Sequence, residues 1–83
     1  MADDDRVGRI AEVLRDFHRR LSADPPLPPD QWELALYSYD DALVTAADLL
    51  DLDVPAAARD EMGPEDRAAL EQALADAGLD AWS

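Results

Sequence analysis

Few residues in this chain could carry reactive chemistry. One imidazole, His18, and the hydroxyls of Ser22, Ser38, Thr45 and Ser83 are the candidates for proton transfer or nucleophilic attack. Nucleophilic catalysis needs a base within hydrogen-bond reach of the nucleophile and a third group that orients the base. No motif around these hydroxyls supplies either. His18 stands one residue past Phe17, beside an apolar stripe, and reads as a boundary residue with one wet edge. Carboxylates number 20, but an acid–base pair is recognised by surroundings that drive two pKa values apart. Most of these acids fall on arcs that face solvent. The chain is therefore read as a non-enzyme, with no catalytic residue assigned.

Metal and cofactor chemistry fare no better. Cysteine is absent, which excludes disulfides and thiolate ligands. Zinc would need three or four carboxylates, which is not its preferred set. Calcium-loop registers begun at Asp51 or Asp53 lack the central Gly and the terminal acid that an EF-hand requires. "DDD" at 3–5 and "DLLDLD" at 48–53 read as solvated charge near helix ends. The glycines do not cluster, so there is no phosphate loop. Neither a metal nor a cofactor is expected.

The elements that must position any site follow from apolar spacing. Val7, Ile10, Leu14, Phe17 and Leu21 recur at intervals of three and four, which predicts a first helix over about 5–21. Asp3, Asp4 and Asp5 lie at its positive end, and Arg19 and Arg20 near its negative end. "DPPLPPD" at 24–30 cannot be helix interior, because each Pro fixes φ and lacks an N–H. It reads as a stiff, extended linker. Two overlapping P-x-x-P patterns, Pro25/Pro28 and Pro26/Pro29, match ligands of proline-recognising domains, but their flanks are Asp24 and Asp30 rather than basic residues.

A second helix is expected over 31–51. Asp30 as cap with Glu33 three residues on resembles a capping box. Trp32, Leu36, Tyr39, Leu43, Ala46 and Leu50 then form the strongest seam in the chain and the expected core. Leu34, Tyr37, Val44 and Leu49 fall outside that seam. A helix apolar over so wide an arc is central in its domain. Ser38 with Asp41 repeats the S-x-x-D pattern and marks a place where the helix could break, although the unbroken seam favours continuity. Val54 before Pro55 ends the helix. A short helical turn is expected at 56–62, stopped by Gly63. A last helix, 64–77, starts at Pro64 and closes at Gly78, with Leu79 packing back on its final turn. Trp82 in the tail either folds onto the core or meets a partner; burial is favoured because Trp is mostly buried. The reading is an all-α, three-helix bundle forming one domain over 1–83.

Charge narrows the partners. The formal net charge is −13. Residues 1–22 are neutral, with five Arg against five acids, while residues 23–83 hold two Arg against fifteen acids. That field opposes nucleic acid and anionic membranes, since phosphate affinity depends on neutralising cations. A basic protein surface is compatible with it. No apolar run reaches the ~20 residues of a membrane span, and the N-terminus lacks an apolar signal core, so a cytoplasmic location is expected.

Three functional readings result. The first is a protein–protein interaction module, with a homodimer as one form, using Tyr37, Val44, Leu34, Leu49 and Trp82. The second is an acidic mimic of nucleic acid that occupies a basic cleft. The third is a carrier domain: length, acidity and helical content resemble those of the acyl carrier proteins. That family attaches its cofactor to a Ser in a D-S-L motif at a helix start. This chain has no D-S-L, and Ser38 lies in "LYSYD".

Overall fold

The computed structural model describes residues 2–79 and 81–82. Among these residues the chain is all-α, with helices α1 (Ala2–Leu21), α2 (Pro29–Leu49), α3 (Ala56–Asp60) and α4 (Pro64–Asp76). Both α1 and α4 pack on α2. The connection between α1 and α2, residues 22–28, reaches roughly 25 Å when extended. A helix of 20 residues is about 30 Å long. Two such helices packed along their length through so short a link run antiparallel.

The helix starts differ from the sequence expectation. α1 begins at Ala2, so Asp3 to Asp5 fall within its first turn rather than before it; the carboxylates of Asp3 and Asp4 lie outside the described side chains. α2 begins at Pro29, with Pro28 as its cap and no side-chain capping bond. The Asp30–Glu33 capping box is therefore absent. Proline is favoured at the first helical position, because its missing N–H is one the helix cannot use. Asp30 sits in the first turn instead, where its charge favours the dipole. Pro29 is thus helical, which removes Pro26/Pro29 as an extended P-x-x-P ligand. No break occurs at Ser38.

The core gathers around α2. Leu14 of α1, Tyr39, Ala42, Leu43, Ala46 and Ala47 of α2, and Leu70 and Leu74 of α4 are buried together with Leu79 and Ala81. Val7, Ile10, Phe17 and Leu21, the rest of the α1 stripe, pack on this cluster from its edge. The seam read from the sequence is correct in its middle and wrong at its start. Trp32 is 37% exposed, and Leu36 is only half-buried. Their places in the buried arc go to the alanines at 35, 42 and 47.

The C-terminal ends of α2 and α4 close in the same way. After α4, the Gly78 N–H donates to Ala75 O and the Leu79 N–H to Leu74 O. After α2, the Asp51 N–H donates to Asp48 O and the Leu52 N–H to Ala47 O. Each pattern is a Schellman closure, which requires positive φ at the residue after the cap. Gly78 supplies it at φ 100 and Asp51 at φ 59. Leu79 is buried and Leu52 packs on the core, the apolar contact that accompanies this closure.

Candidate interaction groove

The arm that follows α2 is tied to it by polar bonds. Arg59 on α3 donates from Nη2 and Nη1 to the Asp48 carboxylate, at 2.7 and 3.3 Å. The bond holds the Asp48 carboxyl below the usual carboxylate range. Arg67 on α4 makes a tighter fork: Nε to Asp40 Oδ1 at 2.6 Å and Nη2 to Asp40 Oδ2 at 2.9 Å. A planar guanidinium suits this two-pronged recognition of a carboxylate. The Arg67 and Asp40 side chains are 19% and 14% exposed, against 43% and 54% for Arg59 and Asp48. Only the inner pair is shielded enough from water to carry much energy.

A third tie closes the far end. The Trp82 Nε1–H donates to the Tyr39 hydroxyl at 2.8 Å, and that hydroxyl donates to Glu71 Oε2. The Tyr39 phenol is pushed well above its ordinary value, first by burial and then by its bond to Glu71. Trp82, an interaction candidate from sequence, is therefore folded back on the core.

Beside the Arg59 and Arg67 ties, between α2 and the chain from Ala58 to Arg67, lies a groove of about 650 Å³. Its floor is the buried Ala58 and the half-buried Leu36, Val44 and Met62. Trp32 and Tyr37 border it, and Tyr37 is 72% exposed. Glu33, Asp41, Asp60 and Glu61 form its exposed acidic edge. Both arginines of the groove, Arg59 and Arg67, are bonded to carboxylates of α2. Among the described residues, no ion pair engages the four edge acids.

The sequence candidates divide accordingly. Tyr37 and Val44 share this groove. Leu34, 67% exposed, lines a shallower depression with Phe17, Leu27 and Ser38. Leu49 is half-buried and borders neither. Trp32 joins the groove instead of the core, while its indole N–H donates to Leu21 O at 3.3 Å and satisfies an end carbonyl of α1. Met62 and Ala58 were not expected here; their approach to α2 depends on pairs 11 and 27 residues apart in the chain.

The reactive groups stay scattered. His18 is exposed in the last turn of α1. Thr45 Oγ1 donates to the Asp41 carbonyl one turn back, and Ser38 is exposed in mid-helix. Ser83 lies outside the described residues. Among the described residues, no group of three or more His, Asp or Glu is placed to hold a metal ion, and no helix is long and apolar enough to cross a membrane. Among the described residues the fold and site thus define a small all-α chain with an acidic, partly apolar groove. No protein-family model, curated protein or solved structure matches it.

Proposed function

We propose that this chain is a non-enzymatic interaction module whose α2 groove receives part of another protein. Tyr37 carries the reading. The residue is left 72% exposed at the border of an apolar floor, while the same helix buries Tyr39 two residues on. Exposed aromatic rings beside half-covered apolar side chains are the material of interface cores.

The charge favours an unlike partner. A second copy would itself carry a net charge of −13, and opposed like charges weaken association. The same acidity supports the nucleic-acid mimic, which needs carboxylates in an uninterrupted file. On α2, Trp32, Leu34 and Tyr37 interrupt the acids, which favours apolar docking. Ser38 lies in the middle of α2 rather than at a helix start, so it lacks the position a carrier Ser needs.

Site-resolved photo-cross-linking tests the proposal. A benzoylphenylalanine at position 37 is expected to give discrete adducts with host proteins, and the same label at the exposed Gln72 none. Equal labelling from both positions would remove the groove from consideration. Light scattering near 9.1 kDa is expected for the purified chain; a doubled mass would return the homodimer.

A further inference from the structure

Glu33, Tyr37 and Asp41 are each four residues apart on α2. Residues at this spacing are neighbours on one side of a helix, about 5–6 Å apart at Cβ. An exposed ring therefore stands between two carboxylates, one turn to either side. We propose that the partner presents an arginine to Tyr37, from an amphipathic helix whose apolar side covers Leu36, Val44 and Met62. The proposal rests on the docking reading above and names its chemistry.

A cation over an aromatic face is attracted by the ring quadrupole, and flanking carboxylates add directed hydrogen bonds. Arginine fits better than lysine, because its plane stacks on the ring while its fork reaches a carboxylate. The chain does not fill this site itself. Arg59 and Arg67, the arginines of the groove, are bonded to Asp48 and Asp40, and no ion pair engages Glu33 or Asp41 among the described residues. A helix suits the groove by elimination and by length. Among the described residues there is no strand, hence no sheet edge for an added strand. From Trp32 to Val44 the groove runs about 18 Å along α2, roughly three helical turns.

The test is selection of a displayed library of random helical peptides on the immobilised full-length chain. Enriched peptides are expected to carry Arg within one turn of an apolar pair. Tyr37→Leu, which keeps apolar bulk and removes the ring, is expected to weaken them roughly tenfold, and Tyr37→Phe no more than about threefold. Glu33→Gln with Asp41→Asn is expected to weaken them at low salt and much less at high salt. Circular dichroism checks that each variant stays folded, and Tyr37 is exposed enough for its replacement to be tolerated. A pool without Arg that still depends on Tyr37 overturns the arginine assignment and leaves the docking reading standing. An Arg-bearing pool indifferent to Glu33 and Asp41 also overturns the assignment. No enrichment, or a pool indifferent to Tyr37, overturns both.

Discussion

The hairpin of α1 and α2 and the arm after it are held by different forces. The hairpin meets through apolar side chains, Leu14 against the alanine-rich side of α2 among them. The arm brings Leu70, Leu74 and Leu79 to the same core, but its placement is fixed at three polar stations: Asp48–Arg59, Asp40–Arg67 and Tyr39–Glu71–Trp82. Apolar burial is non-directional and sets how much stability there is. Helices of 5 and 13 residues are marginal on their own, and directed bonds determine where they sit. The groove lies along this second boundary, where contact with α2 is polar and incomplete.

Breaking the apolar side should have the largest effect. Leu43 is fully buried, and Leu43→Asp places an unpaired carboxylate there, at a cost of several kcal/mol. A domain of this size has about 4–12 kcal/mol in total. Loss of the helical circular-dichroism signal is expected; a folded variant would mean that the seam lies elsewhere.

The contrast between hairpin and arm also separates what the sequence reveals from what it hides. Stripes of large side chains were legible, so α1 and the middle of α2 follow from spacing alone. Gly63, Pro64, Gly78 and Leu79 announced α4, because each answers a local backbone requirement. Alanine carries no such signal. Ala35, Ala42, Ala47 and Ala58 are buried, yet nothing local distinguishes them from the exposed Ala68 or Ala75. The Asp40–Arg67 and Tyr39–Glu71 bonds join residues 27 and 32 apart, and no periodicity reaches that far. Half of the groove was therefore invisible: Tyr37 and Val44 stood out as misfits on α2, while their opposite wall depended on long-range polar pairs.

Removing one polar tie should cost less than Leu43→Asp and should differ between the ties. Arg67→Met leaves the shielded Asp40 carboxylate without its partner, which should cost about 2–3 kcal/mol, below the range for fully buried pairs because some water reaches this one. Adding Asp40→Asn to Arg67→Met should recover part of that loss. Arg59→Ala, at the solvated pair, is expected to leave the urea midpoint unchanged. Equal effects at the two sites would erase the distinction between inner and outer ties.

Tyr39 offers a reading by pH. Tyr39→Phe orphans the Trp82 N–H and removes the donor to Glu71, at about 1–2 kcal/mol near neutrality. In the native chain the phenol holds its proton above its ordinary value of 10.0, whereas the unfolded chain releases it there. The stabilising contribution is complete below about pH 10 and is lost as pH rises through the folded-state value. Urea midpoints should therefore decline above about pH 10, and less steeply in Tyr39→Phe. Parallel declines would mean that the hydroxyl is solvated.

A small effect of the opposite sign is expected where hairpin and arm join. Asp51 and Gly78 occupy equivalent places in two like closures, yet only one is glycine. A side chain at positive φ costs about 1 kcal/mol through Cβ crowding. Asp51 also puts a negative charge just past the negative end of α2, which adds a few tenths of a kcal/mol. Asp51→Gly relieves both, but it loosens the unfolded chain by about 0.5–1 kcal/mol. The net should be a gain of about 0.5 kcal/mol in urea unfolding, while Gly78→Ala should lose about 1 kcal/mol, because the strain of a Cβ at φ 100 outweighs what is gained by stiffening the unfolded chain. A loss from Asp51→Gly would show that a stiff junction, rather than a relaxed one, keeps Arg59 and Arg67 within reach of α2. The polar ties would then depend on the turn between the two halves as much as on their own geometry.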